Sequence, residues 1–196
     1  MNFEATLIYF LQNNATPFWV AFFRIVSLFG GYLSGLITFL IVFHKNKQRG
    51  ALFAIAFVGA GFLNYILKRI IQRSRPFDVY NFIQNLGGED GFSMPSGHSV
   101  CAGTIAVFLF YHILKECKQS GLRWLIGVNI VLYSHLIMFS RIFLGAHFLT
   151  DTIVGIIIGI TFAILVICVY NICRRKIWKG ASYKKDGTNF FSNHQE

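Results

Sequence analysis

The sequence predicts an all-α protein, a polytopic bundle of transmembrane helices. Of its 196 residues, 55% are hydrophobic and only 13% are charged, whereas roughly 25% charged residues are usual in soluble domains. The apolar residues are also collected into five long stretches that contain no Asp, Glu, Lys or Arg. These observations exclude a disordered chain, a collagen and a small disulfide scaffold.

Residues 1–16 precede the first apolar stretch and are predicted to form an amphipathic helix at the membrane interface. The helix would carry apolar side chains on one face and polar side chains on the other: Phe3, Leu7, Phe10 and Leu11 against Glu4, Gln12 and Asn13. The segment is too short and too polar to span a bilayer. It also lacks the basic start and the cleavage site of a signal peptide.

The five uncharged stretches are predicted to be transmembrane helices: residues 25–43, 50–67, 99–114, 124–140 and 152–173. About 20 predominantly apolar residues span a bilayer, so the middle three need flanking residues that can snorkel. Pro17 marks a break before the first helix, and the Gly30-Gly31 pair favours a kink inside it. Residues 17–173 therefore form the predicted membrane-embedded domain.

The basic residues between these helices predict the orientation. Most of them lie in the loops after the first and third helices and in a basic tail, residues 174–196. Because basic loops favour the cytoplasm, we expect a multi-pass cell-membrane protein with its N-terminus outside and its C-terminus cytoplasmic. The tail is predicted to bind anionic lipids rather than nucleic acid. The positions of the four cysteines indicate neither a disulfide nor a metal site.

Three motifs lie at the outer ends of the helices, and the first contains Lys68 and Arg75. They are seven residues apart, about two helical turns, and Pro76 follows. A helix that continues past the second span would place both cations on one face, where they suit an oxyanion. Snorkelling by Lys68 and simple solvation of Arg75 are an equally good account of this motif alone.

The second motif is Pro95-Ser96-Gly97-His98, where a loop enters the third span. Ser96 can cap the helix, Gly97 lets a ligand approach the backbone, and the N–H groups of the first turn favour an anion. His98 would lie beside that anion. The alternative is an ordinary serine-capped helix with an interfacial histidine.

The third motif joins Arg141, His147 and Asp151, between the fourth and fifth spans. On a helical segment, Asp151 at i+4 could accept a hydrogen bond from one imidazole nitrogen of His147 and leave the other free as nucleophile or base. Arg141 could instead be an interfacial anchor and Asp151 a helix cap. Because the topology places all three motifs at one membrane face, the sequence predicts a single site that binds and transfers a tetrahedral oxyanion.

With these motifs the sequence resembles the type 2 phosphatidic acid phosphatase superfamily, which includes the vanadium haloperoxidases. The three-part signature is matched in order: Lys68-x6-Arg75-Pro76, Pro95-Ser96-Gly97-His98 and Ser140-Arg141-x5-His147-x3-Asp151. The resemblance implies a small bacterial membrane phosphatase with its active site near the outer face and a phosphohistidine intermediate, without a metal or other cofactor. The family commonly has six spans, so a sixth element formed from the N-terminal helix and a broken first span remains open.

The resemblance also implies a role for each matched residue. His147 would be the nucleophile, Asp151 its orienting partner and His98 the general acid for the leaving oxygen. The phosphate would be bound by five residues: Lys68, Arg75, Ser96, Gly97 and Arg141. This chemistry requires a neutral His147 and a protonated His98.

The predicted function is therefore a metal-independent lipid phosphate phosphatase. Candidate substrates by resemblance are undecaprenyl pyrophosphate, phosphatidylglycerol phosphate and phosphatidic acid. A lipid phosphotransferase would use the same intermediate, and a non-catalytic lipid-phosphate receptor or carrier would not need the His147-Asp151 pair. Vanadate-dependent halogenation ranks lowest because the haloperoxidases of the family are soluble. The lipid and the oligomeric state are left open.

Overall fold

Helices are the regular elements of the described chain, which in this computed structural model comprises the backbone of residues 2–192 and the side chains of residues 2–175. In chain order they are α1 (Phe3–Asn13), α2 (Pro17–Leu28), α3 (Tyr32–Lys45), α4 (Lys47–Ile71), α5 (Pro76–Val79), α6 (Gly97–Glu116), α7 (Ser120–Phe143) and α8 (Leu149–Ser192). Most side chains of the predicted basic tail lie outside the described residues, so its lipid binding and the three-part division of the chain stay predictions.

Four helical segments are long and apolar enough to cross a membrane: Lys47–Val79, Gly97–Glu116, Ser120–Phe143 and Leu149–Arg175. The helices α2 and α3 meet the same criteria together, although they are bent by 45° at the break between them. By length and composition, the described part of the chain thus contains four candidate spans, or five when the bent pair is one span. This architecture confirms the predicted fold class of a polytopic helical membrane protein.

The elbow between α2 and α3 lies at the Gly30-Gly31 pair, where the sequence indicated a kink. A Cβ atom at Gly30 would lie 2.6 Å from Ile137 Cγ2 and 3.3 Å from His98 Cδ2. Only a residue without a side chain allows the backbone to pass this close to α7 and to the first turn of α6. Because α2 packs on α7 and α3 packs on α4, the elbow crosses the bundle beside His98.

The core of the bundle lies between α4, α6 and α8. It contains the buried side chains of Leu52, Phe53, Ala56, Ile105, Phe108, Ala163 and Ile167. The start of α6 also comes close to the second turn of α8, because a Cβ atom at Gly155 would lie 2.6 Å from the carbonyl oxygen of Ser96. This packing places the second and third sequence motifs side by side.

The N-terminal helix α1 docks on the motif-bearing end of the bundle through a different face from the predicted one. Ala5 and Ile8 are its fully buried residues, whereas Phe3 and Phe10 are 72% and 64% exposed. The polar face is engaged as well, since Glu4 forms an ion pair with Arg73 at 3.1 Å. These polar contacts set the rotation of α1 about its own axis. That rotation cannot be predicted by sorting the residues of the helix into an apolar and a polar face.

The chain between α4 and α5 departs from the continuous helix expected to carry Lys68 and Arg75 on one face. Helix α4 ends at Ile71, and Gln72 adopts a left-handed conformation with φ of 50°. Arg75 is extended, with ψ of 160°, because the residue before a proline avoids the helical region. The prediction of a shared helical face is therefore wrong, and the loop brings the two cations together instead.

Candidate active site

Lys68, in the last turn of α4, anchors the loop that leads to Pro95-Ser96-Gly97-His98. Its Nζ atom donates hydrogen bonds to the carbonyl oxygens of Phe92 at 2.5 Å and Ser93 at 3.2 Å. The side chain is therefore directed into the protein and is not a simple snorkelling lysine. It places one positive charge directly beside Ser93.

Arg75 is buried, with 3% exposure, and its guanidinium donates hydrogen bonds to two loops. Its Nε and Nη2 atoms donate to the carbonyls of Gly91 at 2.9 Å and Asp90 at 2.6 Å. Its Nη1 atom donates to the carbonyl of Ala146 at 2.9 Å. Arg75 thus joins the loop before α6 to the residue that precedes His147, and it is not the solvated cation of the alternative reading.

The N-terminus of α6 is built as the sequence predicted. Ser96 is fully buried, its Oγ atom accepts a long hydrogen bond from the N–H of Ser99 at 3.5 Å, and its own N–H donates to the carbonyl of Asp151 at 3.0 Å. Gly97 is the first helical residue, where N–H groups have no partner within the helix. His98 lies in this first turn, facing the elbow between α2 and α3.

Arg141 lies in the last turn of α7 and is 2% exposed. One terminal nitrogen donates to the hydroxyl of Ser27 and the other to the carboxylate of Glu89. Its Nε atom is buried and has no hydrogen-bond partner among the described residues. A buried guanidinium with unused donor capacity can accept a further anionic ligand.

His147 lies in the loop between α7 and α8, not on a helix, so the expected helical i, i+4 geometry with Asp151 is wrong. Its Nδ1 atom is 3.8 Å from Asp151 Oδ2, beyond an ordinary hydrogen bond. The Ser93 hydroxyl is nearer, at 3.4 Å from Nδ1, and donates to the same Asp151 oxygen at 2.5 Å. Ser93 therefore connects the histidine to the carboxylate.

Asp151 is fully buried and anchors the start of α8. Its Oδ2 atom also accepts from the N–H of Phe148 at 2.9 Å, and its Oδ1 atom accepts from Arg73 at 2.6 Å. Arg73 in turn contacts Glu4 of α1. The carboxylate is thus held by three donors besides its contact with His147, which fixes the oxygen that faces the imidazole.

Burial controls the charge of His147. The surrounding apolar atoms lower its pKa to about 4, and the cations Arg141, Arg75 and Lys68 act in the same direction, while Asp151 opposes them. The imidazole is therefore neutral near pH 7 and its Nε2 lone pair is free to attack an electrophile. This is the protonation state that a nucleophilic histidine requires.

Glu89 carries a negative charge among these cations. Burial by itself would raise its pKa, but Arg141, His98 and Arg75 outweigh that effect and lower the pKa below the ordinary value for a carboxyl group. The carboxylate is 3.5 Å from Arg75 and is also bonded to Arg141. It thus lies where the two arginines converge.

The structure therefore brings together all eight residues singled out from the sequence: Lys68, Arg75, Ser96, Gly97, His98, Arg141, His147 and Asp151. Sequence reasoning missed Ser93, Arg73 and Glu89 as partners of these residues. Arg73 and Glu89 were visible only as members of a basic cluster and an acidic loop. Ser93 gave no signal, because an isolated serine is too common to be informative.

No metal centre is evident in the part of the chain that has described side chains, where no group of three or more His, Cys, Asp or Glu residues could hold an ion. The donors that surround His147 are instead guanidinium, ammonium and hydroxyl groups, which bind oxyanions. The absence of a cofactor stays a prediction.

A family model described as the PAP2 superfamily matches residues 49–175, which include all three motifs. The chain belongs to the PAP2 superfamily. The resemblance inferred from the motifs is thereby confirmed.

Two curated relatives of the chain are named as phosphatases. Phosphatidylglycerophosphatase B of Bacillus subtilis (strain 168) is 34% identical to the PAP2 chain over 128 residues, 63% of this chain and 59% of that protein. Undecaprenyl-diphosphatase of Sulfolobus acidocaldarius is 30% identical over 121 residues, 61% of this chain and 54% of that protein. The chain thus matches between half and two thirds of the length of these relatives.

A solved structure has the same fold. The crystal structure of a transmembrane PAP2-type phosphatidylglycerolphosphate phosphatase from Bacillus subtilis superposes on the PAP2 chain with a TM-score of 0.75 at 24% sequence identity. The match covers 86% of this chain and 84% of that one. Together with its own apolar spans, this likeness identifies the chain as a multi-pass membrane protein.

Proposed function

We propose that this PAP2 protein is a membrane phosphatase that removes phosphate from a lipid phosphomonoester or pyrophosphate through a phosphohistidine on His147. One observation carries the proposal: the neutral imidazole of His147 is enclosed by oxyanion-binding groups from all three motifs. Lys68 holds Ser93, and Arg75 holds Ala146. The relatives described above, which are named as lipid phosphatases, support the same class of reaction.

In the first step, His147 Nε2 attacks phosphorus and the bond between phosphorus and the lipid oxygen breaks. His98 transfers its proton to that oxygen, so the lipid leaves as an alcohol or as a lipid monophosphate. The Nδ1–H of His147 faces Ser93, whose hydroxyl donates to Asp151. This chain stabilises the positive charge that develops on the imidazole.

In the second step, water attacks the phosphohistidine. His98, now neutral, takes a proton from the water as its oxygen bonds to phosphorus and the bond between nitrogen and phosphorus breaks. Inorganic phosphate leaves, and His147 returns to its neutral state. Arg75, Arg141, Lys68 and the backbone of Gly97 would bind the equatorial oxygens in both steps.

The substrate class follows from where the site lies. It is at the end of a helical bundle whose outer surface is apolar, so an amphiphile can keep its tail in the bilayer while its phosphate reaches His147. Lys45, Lys47 and Lys115 lie at the opposite end of the bundle, which by the positive-inside rule is cytoplasmic. We therefore propose that the site opens to the outside.

The decisive experiment is phosphate release by the purified protein from undecaprenyl pyrophosphate, phosphatidylglycerol phosphate and phosphatidic acid. We expect activity in the presence of a chelator, and inhibition by orthovanadate, which mimics five-coordinate phosphorus. His147→Ala should remove the activity. The proposal is wrong if no substrate in the panel releases phosphate or if His147→Ala retains full activity.

Product analysis in the same assay separates hydrolysis from phosphoryl transfer. With an added lipid alcohol, a phosphatase continues to produce inorganic phosphate, whereas a phosphotransferase produces a new lipid phosphate. Stoichiometric binding of the lipid without turnover would identify a receptor or carrier.

A further inference from the structure

Glu89 lies in the loop between α5 and α6, and its carboxylate occupies the point where two buried arginines meet. One oxygen accepts a hydrogen bond from Arg141, and the other lies 3.5 Å from Arg75 Nη2. The Arg141 and Arg75 side chains are 2% and 4% exposed, whereas that of Glu89 is 26% exposed. A single planar anion is thus shared by both guanidinium groups at the rim of the site.

These are the same two arginines that the proposed function assigns to the phosphate. A phosphate oxygen that binds the Arg141 terminal nitrogen now bonded to Glu89 must take the place that the Glu89 carboxylate fills. If Glu89 stayed, two anions would share one pair of cations at contact distance, which is strongly unfavourable in a partly buried site. The carboxylate and the phosphate therefore compete for one position.

The backbone around Glu89 does not have to move for this exchange. The Glu89 N–H donates to the side-chain oxygen of Asn85 at 3.1 Å, and the Glu89 carbonyl accepts from the Asn85 amide at 2.8 Å. The following carbonyls of Asp90 and Gly91 are held by Arg75. A rotation of the partly exposed Glu89 side chain toward solvent is sufficient to vacate the position.

Arg75 also keeps its structural bonds without Glu89. Three backbone carbonyls occupy its guanidinium at 2.6 to 2.9 Å, whereas its contact with Glu89 is the longest at 3.5 Å. Arg141 has the Ser27 hydroxyl as a second partner. The carboxylate is accordingly the one ligand at this point that an incoming anion can replace without opening the loop.

We propose that Glu89 is an internal competing anion that sets the affinity threshold of the site, an inference that rests on the proposed function. Displacing the carboxylate imposes the same free-energy cost on every phosphate ligand. A phosphomonoester carries a charge of about −1.5 to −2 at pH 7 and overcomes this cost. Membrane phosphodiesters carry a single negative charge at the phosphate, bind more weakly, and are kept out of a site that they surround in great excess.

The test compares Glu89→Gln with wild type in the binding of inorganic phosphate and of dimethyl phosphate, a soluble phosphodiester. Affinity is measured in detergent from the ligand-dependent rise in the thermal midpoint, which requires no turnover. The matched control is Asp90→Asn, which removes the same charge from the next residue of the loop, whose side chain is exposed.

We expect Glu89→Gln to tighten the binding of both ligands by a similar factor of about tenfold, as expected when one competing charged contact is lost. Asp90→Asn should change either affinity by less than about twofold, as is usual for an exposed charge. In turnover assays Glu89→Gln should lower KM for the lipid phosphate and introduce inhibition by phosphodiester lipids. Glu89→Asp keeps the charge but withdraws it by one methylene group, so it should tighten phosphate binding by a smaller factor. It is the second variant with which to test the inference if Glu89→Gln folds poorly.

Unchanged or weaker phosphate binding in both Glu89 variants would overturn the inference, and so would equal tightening in Asp90→Asn. Because the binding assay does not depend on catalysis, this result is distinguishable from a failure of the proposed function. That failure would appear as a wild-type protein that releases no phosphate from any lipid, whatever its affinity for inorganic phosphate.

Discussion

The Ser93 hydroxyl donates to Asp151 Oδ2 at 2.5 Å and lies 3.4 Å from His147 Nδ1. It is fully buried, and it joins a histidine and a carboxylate that are themselves 3.8 Å apart. The group that lies between the proposed nucleophile, His147, and Asp151 is therefore a serine outside all three motifs. The same residue offers its carbonyl to Lys68, so it links a proposed phosphate-binding cation to the proposed nucleophile, His147.

We expect Ser93→Ala to lower kcat by about tenfold to a hundredfold, because the imidazole loses the group that fixes its tautomer and direction. KM should change little, since Ser93 is not among the groups that are proposed to bind the phosphate. Phosphate-release kinetics measure both parameters. The control is Ser134→Ala, a buried serine of α7 whose hydroxyl donates to the carbonyl of Ile130 in its own helix. Comparable losses in both variants would assign Ser93 a merely structural role.

Arg141→Gln should reduce kcat/KM by about a hundredfold to a thousandfold, the usual cost of removing one donor to a developing oxyanion. Binding of orthovanadate should weaken in parallel. Arg24→Gln is the matched control, because Arg24 lies at the same end of the bundle, is exposed, and bonds the carbonyl of Leu86. We expect it to retain activity within a few-fold of wild type. If Arg141→Gln bound orthovanadate with the wild-type affinity, Arg141 would not be a phosphate-binding residue.

The low pKa of His147 predicts the acid sensitivity of the fold. The folded-state pKa is about 4 against an ordinary value of 6.5, so below pH 6.5 the unfolded chain binds a proton that the folded protein does not. The contribution of His147 to stability should therefore be constant above pH 6.5 and fall between pH 6.5 and 4, by roughly 2 kcal/mol at pH 5. His147→Gln should flatten this dependence of the thermal midpoint. An equally steep decline in that variant would show that other groups control acid unfolding.

Glu4 should stabilise the protein without taking part in catalysis. Its carboxylate accepts from the N–H and the hydroxyl of Thr150 at 2.7 and 2.9 Å, near the positive N-terminus of α8, and it pairs with Arg73. We expect Glu4→Gln to lower the free energy of unfolding by about 1–2 kcal/mol, with kcat within about threefold of wild type. Thr6→Ala, an exposed change on the same helix, should alter neither. A large loss of kcat with an unchanged thermal midpoint would contradict this assignment.

The proposed orientation can be tested by cysteine labelling in intact cells, in a background without native cysteines. Ser74→Cys lies at the site end and Lys118→Cys at the opposite end, and both positions are exposed. A membrane-impermeant maleimide should label only Ser74→Cys, and permeabilised cells should allow both to react. Exclusive labelling of Lys118→Cys in intact cells would invert the topology and place the site in the cytoplasm.

Much of the site could be predicted from the sequence because its residues lie at helix ends, which the charge pattern locates. His98 follows a serine cap, and Arg141 closes the last turn of α7. The local geometry between Lys68 and Arg75 could not be predicted in this way. The helical period that would carry both cations on one face ends at Gln72, whose left-handed conformation terminates α4. The chain then reaches Arg75 through a loop.

The amino-acid sequence alone determined the helical membrane fold and the resemblance to the PAP2 superfamily, and it singled out the side chains that are proposed to bind the anion. It could do so because hydrophobic length, cap residues and local spacing are properties of contiguous segments. Only the tertiary structure decided that Ser93 connects His147 to Asp151 and that Arg73 restrains Asp151. It also decided that the Glu89 carboxylate contacts both Arg75 and Arg141. These relationships join segments far apart in the chain, and they depend on how α1, α4, α6, α7 and α8 pack rather than on any pattern within one of them.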